Sequence, residues 1–171
     1  MLTFTFAEAN SNRTKVIYRE AVPENAKLRH KDISMIRFFN EDVPYKLPRK
    51  QATRQWLKQQ AEGEGYTVGE LNYIFCSDEH VLQVNRDYLQ HDFYTDIITF
   101  DQSEEDGKIE GDIFISVERV ADNARQLSVS PEQEMRRVLA HGLLHLCGYG
   151  DKTDEEQAQM RRKEDEWLRA V

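Results

Sequence analysis

The feature that most constrains the fold is a long helix near the C-terminus, with a strong start signal and a strong stop signal. Ser130 is placed as its N-cap, Pro131 takes the first helical position, and Gln133 completes a capping box. Gly148 is placed to end the helix in a left-handed conformation. Apolar residues recur between these ends at helical spacing, at Met135, Val138, Leu139, Leu143 and Leu146. The pattern predicts one helix with a buried face.

Strand and helix signals alternate along the rest of the chain. Thr153–Glu156 forms a second capping box and predicts a C-terminal helix. The other predicted elements are strands at Met35–Asn40, Glu70–Cys76, Thr95–Asp101 and Gly111–Ser116, and helices at about 48–61, 77–89 and 116–127. This order is typical of an α+β domain in which about five helices pack with a small mixed β-sheet.

The first 34 residues differ from the rest of the 171-residue chain. They carry scattered charges and polar runs, with one short strand predicted around Lys15–Tyr18. The regular apolar pattern begins at Met35. Because a typical domain has about 150 residues, we predict a single domain over residues 35–171. Residues 1–34 are predicted to be an N-terminal extension outside its core.

The composition limits which partners the protein can bind and in which cellular compartment it works. Lysine and arginine number 23 against 31 acidic residues, and the net charge of −8 excludes a basic, tail-type nucleic-acid binder but not a local basic groove. No apolar run approaches the roughly 20 residues of a membrane span, and the N-terminus lacks the features of a signal peptide. Cys76 and Cys147 are too few for a disulfide framework. We therefore predict a reduced, cytoplasmic protein without a membrane partner.

Two histidines on the predicted helix between Ser130 and Gly148 are the strongest candidates for a chemical role. His141 and His145 are four residues apart, so they lie about 40° apart on one helix face, beside the apolar stripe. Asp151 follows three residues after Gly148, and a glycine turn lets the chain bring this carboxylate back toward the histidines. Two imidazoles and one carboxylate suit zinc, with the fourth position left for water. We predict that His141, His145 and Asp151 bind one Zn²⁺ ion, whose water becomes a nucleophile near neutral pH.

The residue after the first histidine separates two hydrolytic chemistries. Zinc peptidases of the His-Glu-x-x-His type use that glutamate as a general base, but residue 142 is glycine here. The longer spacing His-x3-His-x2-Gly-x2-ligand matches a zinc peptidase pattern, yet peptide hydrolysis lacks its base. A phosphodiester is the better candidate, because a metal stabilises phosphate oxygens and an RNA substrate supplies its own 2′-hydroxyl.

Three segments together resemble one known family. The run from His141 to Asp151 is similar to the signature His-Gly-x-Leu-His-Leu-x-Gly-Tyr-Asp-His of the YbeY family, the bacterial zinc-dependent endoribonucleases of ribosomal RNA maturation. Thr95–Phe100 resembles the family segment Thr-Asp-Val-Leu-Ser-Phe, and Gly111–Ser116 resembles Gly-Asp-Ile-x-Ile-Ser. The resemblance covers residues 35–171. It implies an enzyme that cleaves single-stranded RNA with one Zn²⁺, and a partner that is ribosomal RNA or the small ribosomal subunit.

Two positions depart from the family pattern. The third histidine of the family is Asp151 here, which adds a negative charge but keeps a group that zinc accepts. The anionic ligand should make the metal a weaker Lewis acid. Where the family has an arginine after a tyrosine, Tyr88 is followed by Leu89. A phosphate-binding role for that arginine therefore cannot be assigned to Leu89. Arg86, three residues earlier, projects from a different side of the predicted helix.

Other residues are weaker candidates. Asp96 lies in a matched strand segment and would orient substrate, and His91 in the preceding loop would shuttle a proton or contact substrate. The acidic run that begins at Glu164 is interpreted as solvated surface, and Cys147 as a packing residue pointing away from the ion. Positive charges that would flank an RNA channel are Arg49, Lys50, Arg54, Lys58, Arg136 and Arg137.

Two alternatives to a ribonuclease stay open. The first is a zinc peptidase, against which Gly142 argues. The second is a non-catalytic ribosome assembly factor in which zinc only holds the last two helices together. Leu89 in place of an arginine favours the second alternative. The sequence carries no signal for a particular oligomeric state.

Overall fold

A computed structural model describes the backbone of residues 5–7 and all of residues 35–170. Within these ranges the chain forms five strands and five helices. The strands are β1 (Thr5–Ala7), β2 (Met35–Asn40), β3 (Thr67–Cys76), β4 (Ile97–Asp101) and β5 (Lys108–Ser116). The helices are α1 (Lys50–Gly63), α2 (Asp78–Leu89), α3 (Val117–Leu127), α4 (Pro131–Leu146) and α5 (Asp154–Arg169).

The strands form one mixed sheet in the order β1-β4-β5-β3-β2. β3 runs parallel to both of its neighbours, with Leu71 opposite Ile36 of β2 and Asn72 opposite Asp112 of β5. β4 and β5 are antiparallel. α1 provides the crossover between the parallel strands β2 and β3, whereas a short turn joins the antiparallel pair. The predicted α+β class, with a small mixed sheet and five helices, is confirmed.

Three residues of the predicted N-terminal extension belong to this sheet. β1 pairs in parallel with β4, with Thr5 opposite Ile98 and Ala7 opposite Phe100. It is the edge strand next to β4. The strand predicted at Lys15–Tyr18 lies outside the described residues. The boundary at residue 34 stays a prediction.

The helices cover the two faces of the sheet unequally. α1 and α4 pack on one face and α5 packs against α4, so that Leu139 of α4 and Trp167 of α5 share the main core. α2 covers the other face with a smaller cluster that includes Val81 and Phe114 of β5. Residues 138–146 of α4 are all buried. The histidines of α4 therefore lie inside the protein, between layers.

The predicted helix ends are largely confirmed. Ser77, Ser116 and Ser130 each accept a hydrogen bond from the third N–H group of their helix. For Ser130 this is one half of the predicted capping box. Thr153 and Glu156 form both hydrogen bonds of the capping box predicted for α5. These caps use N–H groups that a helix start leaves without intrahelical partners.

Some element bounds differ from their predictions. α1 begins at Lys50 rather than Pro48, because Arg49 is in the left-handed conformation with φ 48°. β3 and β5 each begin three residues earlier than predicted, because their first residues, Thr67 and Lys108, pair with each other. Backbone pairing extends these strands beyond their apolar runs, so side-chain pattern alone does not mark their beginnings.

None of the helices in the described ranges is long and apolar enough to cross a membrane. Cys76 and Cys147 are buried free thiols. Burial raises the pKa of each to about 12, so both stay protonated. Cys147 packs in the main core, as predicted.

Candidate metal centre

α4 places two imidazole rings against each other. His141 and His145 are one helical turn apart, and their Nε2 atoms lie 2.8 Å apart. The side chains are 0% and 1% exposed. They lie next to the apolar stripe that packs α4 on the sheet. Both rings therefore face one point inside the protein.

The end of α4 turns the chain back over these histidines. Gly148 is in the left-handed conformation, with φ 89°, and its N–H donates to the carbonyl of His145. After this turn, Oδ2 of Asp151 lies 3.6 Å from Nε2 of His145 and 3.9 Å from Nε2 of His141. Among the described residues, His141, His145 and Asp151 are the one group of three or more His, Cys, Asp or Glu side chains whose ligand atoms all lie within 4.8 Å of one another.

The first turn of α5 holds the Asp151 segment. Nε2 of Gln157 donates to the carbonyl of Asp151 at 3.0 Å, and the Glu156 carboxylate accepts from the N–H of Lys152 at 2.7 Å. Gly150 lies against the same carboxylate, where a Cβ would be 2.8 Å from the carboxyl carbon of Glu156. The third candidate ligand is therefore positioned by both helices.

Each imidazole is held through its other nitrogen. Nδ1 of His141 lies 2.7 Å from Oε1 of Glu164 on α5, and Nδ1 of His145 lies 2.9 Å from the carbonyl oxygen of Tyr149. A carbonyl oxygen only accepts hydrogen bonds, so the proton of His145 belongs on Nδ1. The Glu164 carboxyl, when ionised, likewise holds the proton of His141 on Nδ1, which leaves a lone pair on each Nε2. The two lone pairs face each other beside Asp151. A cation between them is the arrangement that stabilises this geometry.

The protonation states also suit metal binding. Burial, together with the neighbouring His145 ring, holds the pKa of the His141 imidazole well below its ordinary value, so this ring is neutral. Burial raises the pKa of Asp151, but the contact with His145 and the nearby imidazole of His141 outweigh burial and hold that pKa below its ordinary value. Metals bind neutral imidazole and ionised carboxylate, so these two residues need to lose no proton.

The spacing of the three ligand atoms fits a small tetrahedral ion. Donors at about 2.0–2.1 Å from zinc, at tetrahedral angles, lie about 3.3 Å apart. The observed separations of 2.8, 3.6 and 3.9 Å bracket this value. Nitrogen and oxygen atoms are donors that zinc uses, and three protein ligands leave a fourth position for water. The residues present therefore fit a zinc ion.

Gly142 lies on the face of α4 that packs against the sheet. A Cβ at this position would be 2.8 Å from Cδ1 of Ile97 and 3.0 Å from Cγ2 of Ile113. Glycine therefore lets α4 approach β4 and β5 more closely than any other residue would. A side chain at position 142 would meet the core of the sheet, so the helix has no place for a general base there.

The two other predicted site residues lie outside the three-residue cluster. Asp96 is 3% exposed, and its Oδ2 accepts a hydrogen bond from Nδ2 of Asn123 at 2.9 Å. Burial, with the nearby carboxylate of Glu134, raises the pKa of Asp96 to about 7. His91 is exposed, and its ring stacks on that of Phe93.

The basic side chains predicted to flank an RNA channel are engaged within the fold. Nε of Arg54 donates to the carbonyl of Ile36 at 2.7 Å, and Nζ of Lys50 donates to that of Phe38 at 3.4 Å. Both therefore cover the open edge of β2. The others form ion pairs: Arg49 and Arg136 with Glu132, Lys58 with Glu62, and Arg137 with Glu134 and Glu164. All six side chains therefore already have partners within the protein before any ligand binds.

Glu164 is the residue of the site that sequence reasoning missed. Its interpretation as solvated surface is wrong, because Glu164 is 2% exposed and its carboxylate contacts His141. The two acidic residues that follow it are exposed. The signal lies in the helical spacing, since Met160, Glu164 and Trp167 recur at four and three residues along the buried side of α5.

Comparisons with known proteins identify relatives of this chain. A family model described as Endoribonuclease YbeY matches residues 36–171. Endoribonuclease YbeY of Cytophaga hutchinsonii is 60% identical over 128 residues, which cover 75% of this chain and 90% of that protein. Endoribonuclease YbeY of Flavobacterium johnsoniae is 51% identical over 128 residues, which cover 75% of this chain and 91% of that protein.

A solved structure shares the fold. The solution structure of TM1509 from Thermotoga maritima matches with a TM-score of 0.57 and 29% sequence identity, over 78% of this chain and 87% of that chain. The family match begins in β2 and includes all five helices together with the three clustered residues. The chain therefore belongs to the Endoribonuclease YbeY family.

Proposed function

We propose that this protein is a zinc-dependent endoribonuclease that hydrolyses single-stranded ribosomal RNA during ribosome maturation in the cytoplasm. The buried cluster of His141, His145 and Asp151 is the observation that carries the proposal, because its ligand atoms lie within 4.8 Å of one another. The description of the matching family supports RNA as the substrate. Ribosomal RNA, or the small ribosomal subunit, is the proposed partner.

One zinc ion would be held by Nε2 of His141, Nε2 of His145 and the carboxylate of Asp151. When bound, it supplies positive charge for phosphate oxygens and a water that ionises near neutral pH. Two neutral imidazoles and one carboxylate leave a net charge of about +1 on the loaded site, which attracts a phosphodiester anion. The charge of Asp151 makes this attraction weaker than three imidazoles would.

The protein groups around this cluster hold it ready for that chemistry. Glu164 and the carbonyl of Tyr149 hold protons on Nδ1 of the two histidines, which keeps both Nε2 lone pairs available. Gly142 faces the sheet, so no general base follows the first histidine. The absence of a base at residue 142 favours phosphodiester hydrolysis over peptide hydrolysis.

Two further residues are proposed to assist. His91, exposed on the loop before β4, would contact substrate or move a proton. Asp96 would act indirectly, because it is buried and holds the start of β4 to α3 through Asn123. We propose that it orients the loop that meets the substrate.

A second candidate function is a non-catalytic ribosome assembly factor. The contact between Glu164 of α5 and His141 of α4 favours it, because an ion at His141 would also strengthen the packing of the last two helices. This candidate predicts co-sedimentation with small ribosomal subunits, and a lower melting temperature after chelation, without RNA cleavage.

The deciding experiment compares zinc-loaded wild type with His145→Ala on folded ribosomal RNA, purified side by side. His80→Ala is the matched control, since His80 packs beside Phe114 on the opposite face of the sheet. Cleavage by wild type and His80→Ala but not by His145→Ala is expected. Equal cleavage by all three would indicate a contaminating nuclease, and cleavage by none would favour the assembly factor.

A further inference from the structure

Two aromatic side chains are exposed next to each other on the loop between α2 and β4. Phe93 and Tyr94 are 40% and 48% exposed. Among the described residues, Leu127 is the other large hydrophobic side chain with comparable exposure. Single exposed apolar residues are normal on a protein surface, whereas two adjacent exposed aromatic rings form a small apolar patch. The loop therefore offers a surface for a ligand.

Polar contacts hold this loop in one shape. Nδ2 of the buried Asn85 donates to the carbonyl of Phe93 at 2.8 Å, and the N–H of His91 donates to the carbonyl of Asn85 at 3.2 Å. Gln90 ends α2 in the left-handed conformation. The backbone that carries the two aromatic rings is thus ordered in advance, which lowers the entropy cost of binding.

Each ring is supported by a neighbouring side chain. The ring of His91 stacks on that of Phe93, with centroids 5.2 Å apart and planes 23° apart. The guanidinium of Arg119 lies 5.1 Å from the centroid of Tyr94, whose hydroxyl donates to Glu79 at 3.1 Å. Flat aromatic faces beside such groups are the platforms on which single-stranded nucleic acids stack their bases.

The exposed area selects the kind of partner. Aromatic side chains have about 150–250 Å² each to bury, so the exposed parts of these two present roughly 200 Å². A specific protein interface buries about 800 Å² on each partner. The loop is too small for that on its own, but it matches the area of one or two nucleobases.

The loop is connected to the candidate metal centre through Ile97 at the start of β4. Phe93 and Tyr94 precede Ile97 by four and three residues, which is at most about 14 Å of chain. The Ile97 side chain lies against Gly142, the residue after His141. The loop and the candidate ligands are therefore linked by one short stretch of chain and one side-chain contact.

We propose that Phe93 and Tyr94 form a stacking subsite for one or two bases of single-stranded RNA, a few nucleotides from the bond that is cleaved. The subsite rests on the proposed endoribonuclease function. Nearby carboxylates are already paired, Asp92 with Arg86 and Asp78 with Arg119. The subsite therefore binds by stacking, and it adds affinity without adding to the salt dependence of binding.

The test measures binding and cleavage of a labelled single-stranded decaribonucleotide by the zinc-loaded protein. Phe93→Ala and Tyr94→Ala are each expected to raise Kd and KM roughly tenfold, with the salt slope of Kd unchanged. Cleavage of a dinucleotide, which is too short to reach the loop, should change less than twofold. Leu127→Ala is the matched control, because it removes a side chain that is 39% exposed outside the loop. Phe93→Tyr keeps the ring and should keep the affinity.

Each outcome separates the subsite from the function on which it rests. If wild type cleaves the decamer and both alanine variants behave like Leu127→Ala, the subsite is wrong and the endoribonuclease function stands. If wild type neither binds nor cleaves the decamer, the proposed function fails and the subsite with it. If the alanine variants keep their RNA affinity but lose co-sedimentation with ribosomal subunits, the loop binds protein, which overturns the subsite.

Discussion

Nδ1 of His141 on α4 lies 2.7 Å from Oε1 of Glu164 on α5. A carboxylate on the outer nitrogen of a ligating histidine fixes the tautomer and raises the basicity of the ring. Arg137 lies 3.7 Å from the other oxygen of the same carboxylate. Burial raises the pKa of Glu164 to about 7, and the charge of Arg137 opposes that rise. α5 is therefore part of the candidate metal centre, because it supplies the group that orients one ligand.

Replacing Glu164 should weaken metal binding. Glu164→Ala removes the acceptor for Nδ1 of His141, and the loss of such an outer partner typically costs about 10–100-fold in metal affinity. Glu164→Gln keeps an acceptor oxygen but loses the charge, so its loss should be smaller. Competition against a chromophoric chelator gives the zinc Kd. Asp165→Asn is the control, since this neighbour is exposed. Wild-type affinity in Glu164→Ala would show that the contact does not orient the ligand.

Replacing Asp151 tests the departure from the family signature. Asp151→Asn keeps the shape of the side chain but removes an ionised ligand. Zinc affinity should therefore fall by more than the roughly 100-fold loss that is the upper limit for removing a hydrogen-bond partner of a ligand, such as Glu164. Asp151→His restores a ligand that zinc accepts and removes one negative charge. The pH at which the cleavage rate is half-maximal should then shift downward. A pH–rate profile of Asp151→His that matches wild type would contradict the proposed electrostatic effect.

Gly142 is expected to be intolerant of any side chain. Gly142→Ala would bring a Cβ to 2.8 Å from Ile97 and 3.0 Å from Ile113, and overpacking of this kind costs about 1–3 kcal/mol. The gain in helix propensity offsets about 1 kcal/mol of that loss. Urea unfolding gives the difference. Gly63→Ala is the control, because a Cβ at Gly63 meets nothing within 4 Å; it should be neutral or stabilising. Equal stability of both variants would mean that α4 does not pack as described.

Asp96 should make stability depend on pH. Its pKa is about 7 in the folded protein against 3.8 ordinarily. Between these values the folded state keeps a proton that the unfolded state has lost, so the free energy of unfolding falls as pH rises from about 4 to about 7, then levels off. Asp96→Asn removes this dependence while an oxygen can still accept from Asn123. The stability of the variant relative to wild type should therefore rise with pH, and a constant difference would refute the shift.

Zinc should stabilise the folded protein. A ligand at 100 times its Kd adds about 2.7 kcal/mol to the free energy of unfolding when it binds only the folded state. Urea titrations followed by tryptophan fluorescence are suited to this, because Trp56 and Trp167 are buried and linked by a hydrogen bond at 3.1 Å. Asp151→Asn should lose most of the gain, and Mg²⁺ should produce none. A zinc-independent midpoint in wild type would argue against the candidate ligands.

Local signals predicted most elements of the fold. The caps at Ser77, Ser116 and Thr153 are read from sequence because they depend on residues within one turn of each other. The beginnings of β3 and β5 were not predictable, since Thr67 and Lys108 are ordered by pairing with each other across the sheet. Strand ends of this kind depend on partners that lie far away along the chain.

The sequence by itself determined the helix that carries His141 and His145, the glycine turn after it, and the place of Asp151 beyond that turn. All three follow from local geometry, because helical period and left-handed glycine are properties of neighbouring residues. Only the tertiary structure decided the role of Glu164, the burial of Asp96 and the pairing of the basic side chains with acidic groups and backbone carbonyls. These depend on which elements pack together, since burial and partner distance decide whether a charged group orients a ligand, supports the fold or meets the solvent.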